Sequence, residues 1–66
     1  MKLWIARDKT GSLCMFCEKP KLKDNTIWYL SFGSTMLLKP NLFPEVTFKN
    51  SPQQVEIKLI ENEKNI

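Results

Sequence analysis

Cys14 and Cys17 are the one pair of side chains in this 66-residue chain whose type and spacing suggest chemistry. A C-x-x-C string can supply half of a zinc site or run thiol–disulfide exchange. Neither fits the surrounding sequence. Zinc takes four ligands, and the chain has no other cysteine and no histidine. Redox pairs open a helix, whereas Ser12 to Cys17 alternates in the manner of a strand. Odd spacing along a strand puts the two thiols on opposite faces. Their Cα atoms would lie about 10 Å apart at ~3.3 Å per residue, beyond the ~7 Å that a disulfide spans. Both are expected as reduced thiols, with no metal and no cofactor. Serine and threonine hydroxyls have no histidine base, and Asp8, Asp24, Glu45 and Glu56 form no acid pair in sequence. A sheet this small offers no deep cleft in which to shift their pKa values, so enzymatic activity is not expected.

Binding is the remaining class. Seven aromatic residues, Trp4, Phe16, Trp28, Tyr29, Phe32, Phe43 and Phe48, exceed what so short a chain can enclose, and some should reach the surface. Trp4, Phe16, Trp28 and Tyr29 are the candidate interaction surface. Lys19, Lys21 and Lys23 alternate with Pro20 and Leu22 and are the candidate anion-facing loop. Charge is uneven: residues 1–40 carry seven Lys/Arg against three Asp/Glu, and residues 41–66 three against four. The basic, aromatic-rich part could stack single-stranded nucleic acid, while Trp, Tyr and Phe equally anchor protein contacts.

The elements that must carry these residues follow a two-residue beat. It is clearest in Val55, Ile57 and Leu59, which alternate with Gln54, Glu56 and Lys58, and it predicts an inward-facing strand from Val55 to Ile60. Lys2 to Arg7 reads as a first strand, with Leu3 and Ile5 opposed to Trp4 and Ala6. Asp8 to Gly11 is a turn, and Ser12 to Cys17 returns antiparallel. Glu18 to Asn25 is the longest predicted loop. Thr26 to Leu30 and Thr35 to Leu38 form a second hairpin about Gly33. Pro40 and Pro44 confine Asn41, Leu42 and Phe43 to one predicted helical turn, which would plug the sheet with Leu42 and Phe43. The expected fold is all-β: a small antiparallel sheet of five or six strands, strongly curved or a partly open barrel. Residues 1–60 make the single domain and residues 61–66 a frayed tail. The apolar stretch Leu3 to Ala6 is stopped by Arg7 and Asp8, so no export signal is expected and the cytoplasm is the predicted setting.

The segments KLWIARDKTGSL (2–13) and LFPEVTFKNSPQQVEIKL (42–59) resemble a group of very short uncharacterised proteins from gut bacterial genomes and their prophages or mobile elements. The resemblance covers the two ends of the chain. It implies a bacterial cytoplasmic setting and assigns no activity. The reading the residues carry is a small, non-enzymatic protein-interaction module. Its expected partner is itself, as a homodimer, or another protein. Nucleic acid is the alternative partner, and a membrane is not expected. Self-pairing follows from size, since a chain this short buries only roughly 60% of the surface its unfolded form exposes.

Overall fold

The computed structural model describes residues 1–60. The expected frayed tail, residues 61–66, lies outside them. Six strands follow one another: β1 (Lys2–Arg7), β2 (Leu13–Phe16), β3 (Lys21–Lys23), β4 (Ile27–Tyr29), β5 (Thr35–Leu38) and β6 (Gln53–Glu56). The described residues are all-β and contain no helix. Four strands make an antiparallel sheet in the order β5-β2-β1-β6, and β3 and β4 make a separate two-stranded ribbon. The single sheet of five or six strands, strongly curved or partly closed, is therefore corrected to an open sheet of four with a ribbon beside it. The ribbon is held elsewhere: its backbone is bonded to Asp8 and Lys9 at the end of β1, not to the outer side of β5 or β6.

Register fixes two faces on the main sheet. Leu3, Ile5, Met15, Met36, Leu38 and Val55 share one, and Trp4, Ala6, Cys14, Phe16 and Leu37 share the other. On the Leu3 face, Ile5 and Leu13 pack with Val46 as a buried cluster, with Met15, Leu38 and Val55 against it. On the Trp4 face, Ala6 and Phe16 are buried. Lys19 reaches over the Trp4 ring at 5.6 Å, and the adjoining Pro20 is buried. The ribbon is tied to the end of β1 by the Lys9 N–H on the Thr26 carbonyl at 2.9 Å and the Trp28 N–H on the Asp8 carboxylate at 2.9 Å.

Five local expectations change. Thr26 to Leu30 and Thr35 to Leu38 do not form a hairpin about Gly33: β4 pairs with β3, while β5 belongs to the other sheet and pairs with β2. The predicted loop of Glu18 to Asn25 contains β3, because Asp24 and Asn25 at φ 52° and 57° make a tight turn that lets Lys21–Lys23 pair with Ile27–Tyr29. Pro40 to Pro44 is not a helical turn. A residue before proline is disfavoured in the right-handed helical region, and Phe43 sits at φ 48° instead. Two turns result, closed by the Leu42 N–H on the Lys39 carbonyl and the Val46 N–H on the Phe43 carbonyl. Their product is a different plug: Val46 is buried, while Leu42 and Phe43 are exposed. Finally, β6 covers Gln53–Glu56 rather than Val55 to Ile60, leaving Ile57 43% exposed and Leu59 in solvent.

Candidate functional site

Both cysteines are free thiols, and their surroundings differ. Cys14 lies in β2 between Ala6 on one neighbouring strand and Leu37 on the other. Its thiol is pushed above the ordinary value of 9.0, first by burial and second by the Asp8 carboxylate. Cys17 follows β2 and clasps the turn into β5. Its backbone N–H donates to the Ser34 carbonyl at 3.2 Å, and its Sγ accepts the Ser34 N–H at 3.1 Å. Gly33 makes room for that clasp: at φ 102°, a Cβ added there would stand 2.5 Å from the Cys17 sulfur. Among the described residues, no three of Cys, Asp and Glu gather closely enough to share a metal ion.

The best-connected side chain is one the sequence reading passed over. Arg7 ends β1 on the Leu3 face and donates all five of its guanidinium N–H groups to backbone carbonyls. Nε reaches Val46 at 2.6 Å, one terminal nitrogen reaches Gly11 at 2.8 Å and Pro40 at 2.9 Å, and the other reaches Leu42 at 2.9 Å and Phe43 at 3.1 Å. Its backbone N–H donates to Ser51 Oγ at 2.8 Å. The positive φ of Phe43 belongs to this arrangement, since that residue's carbonyl accepts from both Arg7 and Val46. The segment continues as a knot: Thr47 and Asn50 exchange side-chain-to-backbone bonds, and the Asn50 amide donates to the Glu45 carbonyl. Ser51 to Pro52 is a cis peptide. The one available signal was the alternation Leu3, Ile5, Arg7, which puts the guanidinium on the apolar face.

The candidate interaction surface does not assemble as one patch. Phe16 is 1% exposed and belongs to the core, which corrects its place among the surface aromatics. Trp4 is half-buried beneath Lys19. Trp28 tilts against Phe48 with ring centres 6.4 Å apart, and its buried indole N–H has no hydrogen-bond partner among the described residues. Tyr29 remains exposed. The candidate anion-facing loop is likewise divided. Lys21 and Lys23 are strand residues opposite Tyr29 and Ile27, sharing one exposed face of the ribbon, while Lys19 lies apart over Trp4.

A surface the sequence reading did not single out is the outer edge of β5. Among the described residues no strand pairs with it. Met36 is 57% exposed, Leu37 72%, and Phe32 in the preceding turn 88%. Hydrogen bonding alternates along an antiparallel pair, and the Cys17 N–H to Ser34 carbonyl bond sets its phase. Ser34, Met36 and Leu38 therefore turn their backbone groups toward β2, and Thr35 and Leu37 turn theirs outward. Beside this edge lies a groove of about 170 Å³ lined by Leu3, Met15, Cys17 and Met36, with Phe16 and Thr35 also contributing. A second hollow of about 390 Å³ separates the Val46 cap from β6 and mixes apolar residues with Glu45, Asn50, Gln53 and Gln54.

No family model matches the chain, and neither a curated protein nor a solved structure matches it. Among the described residues, no helix is long and apolar enough to cross a membrane.

Proposed function

We propose that this chain is a non-enzymatic protein-interaction module of the bacterial cytoplasm whose working surface is the open edge of β5. The observation that carries the reading is the combination at that edge of backbone groups unpaired among the described residues with exposed Met36, Leu37 and Phe32. Edge strands in soluble proteins are ordinarily blunted by charge, proline or a bulge, because a row of free N–H and C=O groups recruits another strand. Added strands gain affinity from main-chain bonds and specificity from alternate side chains, and both features are present here. The resemblance of the two ends to short proteins of bacterial mobile elements suits an adaptor of this size.

A second reading has one observation in its favour. Lys21, Lys23 and Tyr29 share an exposed face of the β3-β4 ribbon, where cations and an aromatic ring could meet a phosphate backbone and a base. One experiment separates the two. Immobilised protein is exposed to nuclease-treated bacterial lysate and, separately, to labelled single-stranded DNA, using the parent chain and Leu37→Lys. The interaction reading expects retention of protein, either from the lysate or of a differently tagged copy of this chain added to it, that survives raised salt and is lost in Leu37→Lys. Retention of DNA that falls steeply with salt, indifferent to Leu37 and lost in Lys21→Glu, would replace it with the second reading.

A further inference from the structure

We infer that the partner strand is a second copy of this chain, joined β5 to β5 about a two-fold axis that passes beside Met36, so that two four-stranded sheets become one of eight. The inference rests on the β5-edge reading above and adds the occupant and its register. Three features favour a copy of this chain over a foreign strand.

The first is the phase of the backbone. The outward groups belong to Thr35 and Leu37, which flank Met36 symmetrically. Antiparallel self-pairing with Met36 opposite Met36 puts Thr35 of each copy opposite Leu37 of the other. Both outward-facing residues then fall in hydrogen-bonded pairs, and four N–H to C=O bonds form at once. A closed two-fold of this kind leaves no half-used edge to propagate a fibre.

Charge is the second. Residues 30–38 contain no ionisable side chain, although each copy carries a net +3. Two like-charged molecules can meet along this strip without bringing like charges together. In the self-paired register Lys39 falls opposite Gly33, not opposite another lysine. The far edge of the sheet is different: β6 is entered through Pro52, carries Glu56 and is followed by Lys58, the devices that discourage strand addition.

The third is the side-chain placement that the axis produces. Met36 lies on the Leu3 face beside the groove of about 170 Å³ lined by Leu3, Met15 and Cys17. Self-pairing brings two flexible Met36 side chains together over the two grooves, which become one apolar trough roofed from its middle. On the opposite face, Leu37 of each copy comes alongside Thr35 of the other. The edge contact is small against the ~800 Å² per partner of a standard interface, so a dimer of micromolar rather than nanomolar affinity is expected.

The register supplies its own test. Met36 against Met36 is a non-hydrogen-bonded pair with Cα atoms about 4.5 Å apart, within disulfide range. Met36→Cys treated with oxidised glutathione should give a disulfide-linked dimer. The parent, with its own two thiols, and Gln54→Cys on β6 should not. By sedimentation equilibrium from low to several hundred micromolar, the parent mass should rise from 7.8 kDa toward twice that value. Leu37→Lys should weaken association at least about tenfold by setting a charge into the new seam, with an unchanged circular dichroism spectrum. Ile57→Lys, at the far edge, should leave association intact. A mass fixed at 7.8 kDa across the range, or dimers lost on Ile57→Lys and kept on Leu37→Lys, would overturn the inference. So would failure of Met36→Cys to cross-link. If the chain is monomeric yet still retains another protein through Leu37, self-pairing fails and the interaction reading stands. If it does neither, both fail.

Discussion

The capped end of the main sheet and its open β5 edge are built from the same alternation of apolar residues, and they meet opposite fates. Ile5 and Leu13 sit fully enclosed beneath Val46, whereas Met36 and Leu37, on the strand next to β2, stand in solvent. Hydrophobicity does not separate them. What differs is the supply of hydrogen-bond donors. A loop can lie over a core only if its inward-facing carbonyls are satisfied, and at the capped end Arg7 satisfies four of them and ties them to the Gly11 carbonyl of the β1–β2 turn. At the β5 edge, among the described residues, no such side chain meets the outward backbone groups of Thr35 and Leu37. One end of the sheet is closed from within, and the other can be closed only from without.

The sharpest way to break this contrast is to remove the same side chain from each region. Leu13 is 0% exposed and Leu37 72%. Leu13→Ala should cost about 2–5 kcal/mol through lost burial and a residual cavity. Leu37→Ala should change monomer stability by no more than about 0.5 kcal/mol. Urea unfolding at a concentration low enough to keep the chain monomeric measures both. Comparable losses in the two variants would mean that the β5 edge is covered within the monomer. Ile57→Ala belongs with the mild group, since β6 has ended before that residue.

Arg7→Lys comes next in size. An ammonium has three donors and cannot reproduce the planar fork, so at least two loop carbonyls lose their bond. With a net worth near 1 kcal/mol for each, and more where the donor is charged, a loss of about 2–3 kcal/mol is expected. Amide hydrogen exchange should localise the damage: protection at Leu42 and Val46 falls, while Cys17, at the β2-β5 turn, keeps its own. Loss spread evenly over both regions would deny Arg7 its particular place at the capped end.

The sequence revealed much of this, though unevenly. Strand periodicity and turn chemistry located β1, β2, β4 and β5 as segments, because Gly11 and Gly33 with positive φ punctuate runs that alternate locally, but the turn at Gly33 carries the chain from one sheet to the other instead of pairing β4 with β5. β3 was hidden, since Lys21, Leu22 and Lys23 have little strand propensity and pair only because Asp24 and Asn25 fold the chain back. The cleanest alternation, Val55 to Leu59, misled. Periodicity says which side chains share a face, but burial of that face depends on a covering segment, and the Val46 cap stops short of Ile57. For the same reason the aromatics could not be sorted into core and surface. Phe16 and Phe32 look alike in sequence, yet the first lies buried on the Trp4 face of a strand paired on both sides and the second stands exposed in a turn. The cap itself was legible as two prolines and nothing more, because its cohesion comes from a residue some thirty-five positions earlier.

The smallest effect lies where the two regions meet. Cys14 stands between buried Ala6 and exposed Leu37, so its thiol reports on both. Burial holds its pKa above 9.0, and the Asp8 carboxylate raises it further by opposing the thiolate. The folded chain thus binds this proton more tightly than the unfolded chain, whose thiol titrates near the ordinary value. The resulting stability is complete below that ordinary value and is lost as pH rises through the raised folded one. Urea midpoints of the parent should therefore fall more steeply above pH 9.0 than those of Cys14→Ala, which lacks the group but keeps the lysines. Alkylation of Cys14 as a function of pH gives the causes separately. Asp8→Asn retains an oxygen for the Trp28 N–H and removes the charge, so the midpoint should drop yet stay above 9.0, burial being the larger cause. Covering Leu37 by a second copy would deepen that burial, so the midpoint should rise with protein concentration in the parent and hold steady in Leu37→Lys. A midpoint indifferent to concentration in both, at concentrations where sedimentation finds dimer, would place the seam away from Cys14 and from β5.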